Sequence, residues 1–204
     1  SSDGSREILE HYAEIDRRIV HVSTNRKRLG MIGNWRRTFD VSRSMFPECE
    51  YFAWASDHDV WHPFWLEALV GELDSDDETV LAYSIHMKIS ESGEPMGTNG
   101  WKFDTAVIDH RRERFRTTMW RMSAGNMVYG LYRVDALERA GVFRRTLLPD
   151  RLLVAELSLY GRFRQLKEFL WYRRYFDGIF SLKRQRRSLF GPRRPRWAWV
   201  PWWL

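Results

Sequence analysis

The stretch at residues 50–65 constrains the fold more than any other, because a short apolar run there ends in two acidic residues and a proline. Residues 51–54 are strand formers, and the run is too short and too continuously apolar for a surface helix. We therefore expect a buried parallel strand. Asp57 and Asp59 then follow the carboxyl end of that strand, at the sheet edge where ligands bind in open α/β folds.

Asp57 and Asp59 have two readings. Carboxylates at positions i and i+2 of a turn offer hard oxygen ligands to Mg²⁺ or Mn²⁺, and such a cation would carry a diphosphate. The alternative is a polar turn that caps the helix beginning at Pro63. A short Asp-x-Asp occurs by chance in many chains, so the rest of the sequence has to decide.

The order of apolar patterns in the first 85 residues is helix, strand, helix, strand, helix, strand. This order predicts an α/β fold with a mostly parallel sheet flanked by helices. The predicted helices cover residues 6–16, 31–44 and 65–73, and the predicted strands cover residues 18–23, 51–54 and 79–85.

The second half of the chain is less regular. Residues 86–120 read as a loop-rich crossover, and residues 122–132 read as a glycine turn followed by a strand. A helix is predicted after Asp150, which stands at its amino end either as an N-cap or as a functional carboxylate. Glu156 lies inside that helix among leucines and needs a partner such as Arg151 or Arg162.

Composition limits the compartment and the distribution of charge. The 204 residues contain one cysteine, Cys49, which excludes a disulfide framework and favours a reducing compartment; Cys49 itself is expected to be a small buried hydrophobe. The net charge is +6, yet residues 171–204 carry nine Lys or Arg against one Asp. Positive charge is thus a property of the tail, and the roughly neutral body argues against a nucleic-acid-binding protein.

Several pieces together resemble a family-2 glycosyltransferase with the GT-A type fold. They are Ser2-Asp3-Gly4-Ser5, Asn25 to Asn34, the run from Tyr51 to Asp57-His58-Asp59, Gly125-Asn126, Gly130 to Arg133, Gly141-Val142-Phe143, and Asp150 through Glu156-Leu157 to Gly161. Their order and approximate spacing agree over residues 1–174. We therefore expect a partial GT-A type domain at 1–174, with an incomplete amino-terminal unit, and a basic, Trp-rich tail at 175–204.

The resemblance implies roles for individual residues. Asp3 would contact the base or ribose of a nucleotide-diphosphate sugar, and Asn34 would bind the same donor. Asp57 and Asp59 would hold the diphosphate through Mg²⁺ or Mn²⁺. Asp150 would be the catalytic base that deprotonates an acceptor hydroxyl for inverting transfer, with Glu156 in a supporting or structural role.

The resemblance also implies partners and a location. The acceptor would be a glycan, a lipid-linked molecule or a small molecule, in the setting of bacterial cell-envelope polysaccharides, and no nucleic acid is expected. The protein would be cytoplasmic. Its tail would make peripheral contact with the inner face of the membrane. The alternative is a non-catalytic fragment or binding module that keeps the transferase fold.

The tail from Phe180 to Leu204 has three readings, because arginines, tryptophans and prolines alternate along it. It could lie at an anionic membrane surface, with indole rings among the headgroups. It could stack on single-stranded nucleic acid. It could also pack against other parts of the same enzyme.

Overall fold

The computed structural model describes residues 4–98 and 100–176. Asp3 and nearly all of the tail lie outside the described residues. The helices are α1 (Ser5–Ile15), α2 (Gly30–Met45), α3 (Trp65–Asp74), α4 (Arg111–Arg121), α5 (Ala124–Met127), α6 (Val134–Arg139) and α7 (Pro149–Leu157). The strands are β1 (Tyr51–Ala53), β2 (Val60–Trp61), β3 (Thr79–Ile89), β4 (Pro95–Gly97), β5 (Leu131–Arg133) and β6 (Arg162–Arg174). None of the helices within these ranges is long and apolar enough to cross a membrane.

The strands form one mixed sheet in the order β1-β5-β3-β6-β2, with β4 paired to β3. The α/β class is confirmed, but the expectation of a mostly parallel sheet is not. Only β3 and β6 run parallel among the pairings of the described residues, and every other pairing is antiparallel. Short strands joined by turns and short helices return the chain in the opposite direction, which the alternating order of patterns could not reveal.

The strand β3 is the centre of the sheet because it pairs with β4, β5 and β6. Its first eight residues are all buried, as expected for a strand covered on both faces. The sequence predicted its beginning correctly but ended it at residue 85. Pairing with β6 continues to Ile89 opposite Arg174, and these backbone hydrogen bonds extend the strand past its most apolar part.

The strand β1 differs from its prediction. It lies at one end of the sheet and pairs antiparallel with β5 alone among the described strands. Within β1 only Phe52 is buried. Phe52 owes its burial to aromatic packing, since its ring meets Phe39 of α2 at 5.0 Å and Trp54 at 4.8 Å. The apolar character of residues 51–54 therefore reflects an aromatic core under a helix rather than a central strand.

Residues 4–29 pack loosely, since none of them is buried. Helix α1 forms where the pattern predicts it, yet it contains no buried residue. The strand predicted at residues 18–23 does not form, because a strand needs a neighbour for its backbone hydrogen bonds and none of the described strands pairs with it. Cys49, expected to be buried, is exposed, and its thiol donates to the Tyr51 carbonyl at 3.0 Å.

The carboxyl strand is longer than expected. The residue pattern at 161–170 predicts a turn and a strand, whereas β6 continues through Trp171 to Arg174. Trp171 is 2% exposed and packs in a core cluster with Trp65 and Leu69 of α3. The end of β6 therefore belongs to the folded body, and it brings an arginine pair beside the turn that carries Asp57 and Asp59.

Candidate active site

The turn between β1 and β2 separates its two carboxylates. The Asp59 side chain is only 2% exposed, whereas that of Asp57 is fully exposed. Asp59 Oδ2 accepts hydrogen bonds from Ser56 Oγ at 2.5 Å and from Trp171 Nε1 at 2.9 Å. Its Oδ1 accepts a third from the Arg174 backbone amide at 2.9 Å. Asp59 therefore has three donors, as a buried carboxylate requires, and two of them, from Trp171 and Arg174, join the turn to β6.

Arg174 strengthens the same junction. Its Nε donates to the His58 carbonyl at 2.8 Å, and its Nη1 donates to the carbonyls of Ser90 and Glu91 at 3.1 and 2.5 Å. One side chain thus connects the β1–β2 turn with the loop after β3. Arg174 therefore holds the turn in position, and its Nε and Nη1 donors are engaged by backbone carbonyls.

Asp57 has a different environment. Its Oδ1 lies 3.1 Å from His58 Nδ1, and its carboxylate otherwise faces solvent. His58 is partly exposed and lines a cleft of about 540 Å³, a size typical of small-molecule sites. The turn thus presents one carboxylate and one imidazole outward while the second carboxylate faces inward.

Asp150 lines the same cleft. It is the second residue of α7, after Pro149, whose fixed φ suits the first helical position. The preceding residue, Leu148, has φ 50° and ψ 55°, a left-handed conformation that is costly for a residue with a branched side chain. This strained turn sets where α7 starts and leaves the Asp150 carboxylate partly exposed at the helix amino end.

Gly125 lies near both Asp150 and a cation. A Cβ placed on Gly125 would lie 3.8 Å from Asp150 Oδ2, an ordinary contact, so the glycine leaves that space beside the carboxylate open. Arg173 Nη1 donates to the Gly125 carbonyl at 3.3 Å and to Asn126 Oδ1 at 2.7 Å. Asn126 is buried and is itself fixed by Ser123 Oγ at 2.8 Å. A carboxylate and a guanidinium are therefore held at neighbouring points of one cleft.

Tyr129 lies between the two acidic regions. Its ring contacts Trp171 at 5.0 Å and Trp35 at 5.6 Å. Burial raises the pKa of the Tyr129 hydroxyl, and the carboxylates of Asp59, Asp150 and Asp57 add to that rise while Arg173 opposes it. The hydroxyl is therefore a neutral hydrogen-bond donor at physiological pH, and it is within electrostatic reach of every predicted carboxylate of the described site.

The remaining predicted residues are placed as follows. Asn34 is exposed on α2 and accepts a hydrogen bond from Asn25 Nδ2 at 2.8 Å. Helix α2 lines the cleft through Met31, Ile32 and Trp35, so Asn34 faces another way. Its role in binding a donor stays a prediction.

Glu156 has a partner other than the two expected. Arg144 Nε donates to Glu156 Oε2 at 3.0 Å, in place of Arg151 or Arg162. Arg162 instead bridges Asp76 and Asp109 at 3.3 and 2.6 Å. The Glu156 carboxylate is thus used in an ion pair at the end of α7.

A divalent cation fits only part of the predicted ligand set. Within residues 4–98 and 100–176 no group of three or more His, Cys, Asp or Glu side chains is arranged to hold a metal. Asp59 is buried with three donors on its oxygens, so it does not face the same open point as Asp57. Asp57 remains suitable, because Mg²⁺ often takes one carboxylate together with substrate phosphates and waters.

Sequence reasoning missed Tyr129 and Arg173 as residues of the cleft. Tyr129 follows the Gly125-Asn126 motif by three residues, and Arg173 lies beyond the strand predicted over residues 161–170. The available signal was the continuation of β-forming residues through Trp171 and Tyr172, which argues for a strand that extends past residue 170.

Comparison with known proteins identifies the family. Residues 1–141 match the family described as Glycosyl transferase family 2. No curated protein matches the chain. The match covers more than half of the 204 residues, so the chain belongs to glycosyltransferase family 2. Membership implies the GT-A type fold and transferase chemistry with a nucleotide-sugar donor and an acceptor as the general partners.

Proposed function

We propose that this protein is an inverting glycosyltransferase that moves a sugar from a nucleotide-diphosphate donor to an acceptor hydroxyl. The observation that carries the proposal is the arrangement around Gly125, where the Asp150 carboxylate lies near the glycine, the Arg173 guanidinium donates to its carbonyl, and both side chains line one cleft. Such a pair supplies the two groups that the reaction needs, a base for the acceptor and a cation for the leaving diphosphate.

The donor diphosphate is assigned to the side of the cleft that holds Arg173 and His58. Arg173 is kept in place by Gly125 and Asn126, so its charge is preorganised rather than mobile. Asp57 would hold Mg²⁺ or Mn²⁺ together with the phosphate oxygens. When bound, that ion supplies positive charge against the charge that develops on the leaving diphosphate.

Asp150 is assigned as the base. An acceptor hydroxyl gives its proton to the Asp150 carboxylate while its oxygen forms a bond to the anomeric carbon. The bond from that carbon to the diphosphate oxygen breaks, and the nucleoside diphosphate leaves with the bonding electron pair. A single in-line displacement of this kind inverts the anomeric configuration.

The aromatic wall of the cleft gives the sugar an apolar surface. Trp35, Tyr129 and Phe143 line it, and the Trp35 ring packs against Phe143 at 4.9 Å. Rings that are packed against one another present fixed faces at low cost in side-chain entropy. The Tyr129 hydroxyl supplies a donor for a substrate oxygen.

A second candidate is a module that binds a nucleotide sugar without transferring the sugar. The engagement of Asp59 by three donors favours it, because a metal then has one free carboxylate of the predicted pair. Both candidates bind the nucleotide sugar, but only the first transfers the sugar to an acceptor. A cytoplasmic location, which the single cysteine favours, is part of both proposals.

Calorimetric titration with UDP and GDP, each with and without Mn²⁺, tests the donor site. We expect one of the two nucleotides to bind, with Mn²⁺ dependence that Asp57→Asn removes. Arg173→Ala should weaken binding about tenfold or more, and Arg173→Lys should weaken it less because the charge is kept. Glu67→Gln on the exposed side of α3 is the matched control for Asp57→Asn. If neither nucleotide binds under any of these conditions, the proposal is wrong.

A further inference from the structure

We propose that the outer face of α4 is a docking surface for an anionic lipid membrane. This face comprises Arg112, Arg116, Met119 and Trp120, and it is separate from the cleft. All four residues are exposed, and Trp120 is 85% exposed. A large indole left this open on a packed helix is unusual, and beside a row of arginines it points to an interaction surface.

The geometry of α4 explains why these residues share a face. Positions 112, 116 and 120 are spaced by four, and 119 lies beside them, so all four side chains lie on one stripe. The opposite stripe holds Arg114 and Thr118, which are buried. Arg114 anchors the helix through Nε to the Ser158 carbonyl at 2.6 Å and through Nη1 to the carbonyls of Ile108 and Asp109. The helix is therefore fixed with its arginine and tryptophan stripe outward.

The charge of this face selects its partner. Helix α4 contains five arginines and one acidic residue, Glu113. The basic tail at 175–204 has the same sign of charge, so it is a poor cover for this face. A second copy docked through the same face would bring arginines against arginines. An anionic partner from outside the chain avoids both repulsions.

A lipid surface fits better than other anionic partners because the stripe combines charge with apolar groups. Arginines are attracted to anionic headgroups, while an indole and a thioether can enter the boundary between headgroups and acyl chains. Trp120 and Met119 both lie at the carboxyl end of α4, so insertion would tilt this end toward the membrane. Arg151 Nη2 donates to the Met119 carbonyl at 3.3 Å, which ties that end of α4 to α7 one residue after Asp150.

Membrane binding through α4 would bring lipids close to the candidate base. A membrane bound at the end of α4 would lie beside the helix whose first turn carries Asp150. The inference does not depend on the proposed transfer reaction, and the two can fail separately. Nucleotide binding by variants of α4 should equal that of the unaltered chain.

The experiment is sedimentation of the full chain with vesicles of phosphatidylcholine alone and of phosphatidylcholine with phosphatidylglycerol. We expect binding to the anionic vesicles only, and about tenfold or greater weakening in Arg112→Glu/Arg116→Glu. Trp120→Ser should weaken binding severalfold, and Trp120→Phe should weaken it less. The control Arg17→Glu/Arg37→Glu makes the same charge change at exposed positions near α1 and on α2.

Four results would overturn the proposal. The full chain could fail to bind anionic vesicles, or the α4 variants could bind like the unaltered chain. The control could lose as much binding as Arg112→Glu/Arg116→Glu, which would make net charge the only factor. Loss of binding to a single-stranded RNA without any loss on vesicles would identify a nucleic-acid surface instead and would also contradict the lipid assignment. All variants lie at exposed positions, and unchanged thermal unfolding checks that they fold.

Discussion

Two turns of this protein, one after β1 and one before α7, use their acidic residues in opposite ways. In the turn between β1 and β2, Asp59 is buried and bonded to three donors, two of which come from β6. In the turn before α7, Asp150 is partly exposed and lines a cleft. In the first turn the Asp59 carboxylate joins the turn to a strand. In the second turn the Asp150 carboxylate remains accessible to a substrate.

The two turns also differ in what fixes their backbone. The first turn is held by side-chain bonds, including those from Arg174 to three carbonyls. The second turn relies on Leu148 in a left-handed conformation and on Pro149 to start the helix. Strain of this kind persists only where the surroundings impose it, and it is common at functional sites. A stability measurement and an activity measurement should therefore respond to different carboxylates.

The largest stability effect is expected at Asp59. In Asp59→Asn an amide N–H₂ must face one of the donors that the carboxylate now accepts, so a buried group loses its partner. We expect a loss of about 2–4 kcal/mol in the free energy of unfolding, measured by urea denaturation. Asp57→Asn is the matched control, and its exposed position predicts a change within about 0.5 kcal/mol. Equal losses in the two variants would contradict the separation of roles within this turn.

The pH dependence of stability is expected to come from His86. Its side chain is 3% exposed on β3, and its Nε2 has no hydrogen-bond partner among the described residues. Burial is the largest cause that lowers the pKa of His86 to about 4, with Arg173 and Lys88 adding to it. In the unfolded chain His86 therefore takes up a proton as the pH falls below about 6.5, whereas in the folded chain it stays neutral until about pH 4.

Stability from this residue is fully present above pH 6.5 and is lost as the pH falls toward 4. The expected loss is about 3 kcal/mol over that window. His86→Phe keeps an aromatic ring against Trp171 and removes the titration, so its unfolding free energy should vary less between pH 7 and 4. An equal pH dependence in the variant and the unaltered chain would show that another group is responsible.

The smallest stability effect is expected at Gly125, between the two halves of the cleft. A Cβ there meets Asp150 Oδ2 at 3.8 Å, an ordinary contact, so Gly125→Ala should change the unfolding free energy by less than about 0.5 kcal/mol. The added methyl narrows the gap between Asp150 and Arg173, and nucleotide binding should weaken severalfold. Gly71→Ala on α3 has open space and serves as the control. Unchanged nucleotide binding in Gly125→Ala would argue against a substrate position beside this glycine.

The first three helices were predictable because each has its own apolar period, whereas α4 (Arg111–Arg121) lies in the stretch expected to be a loop-rich crossover and was missed because it turns Arg114 and Thr118 inward instead of an apolar stripe. Helices α1, α2 and α3 begin and end within two residues of their predicted bounds. The direction of the strands was not predictable, since it depends on how short strands pair across the sheet. For β1 in particular, an aromatic run can serve a helix-covered core as well as a central strand, and periodicity alone does not separate the two.

The candidate site was predictable only where its residues stand next to an element that the sequence reveals. Asp57 and Asp150 were found because they stand at the ends of recognisable elements, and both are open to solvent or to the cleft. The burial of Asp59 could not be read from the sequence, because its partners Trp171 and Arg174 are more than 100 residues away. Arg173 was missed for the same reason, since only the pairing of β6 with β3 brings it to Asn126.

The most direct test of this account is turnover by Asp150→Asn. Release of nucleoside diphosphate from UDP- and GDP-linked sugars should be measured for the unaltered chain, for Asp150→Asn and for Asp135→Asn, a control in the first turn of α6. The account predicts a loss of about 10²- to 10⁴-fold in turnover for Asp150→Asn, with unfolding unchanged and the control active. Turnover retained in Asp150→Asn would contradict the role of its carboxylate, and binding without turnover in the unaltered chain would favour the non-catalytic alternative.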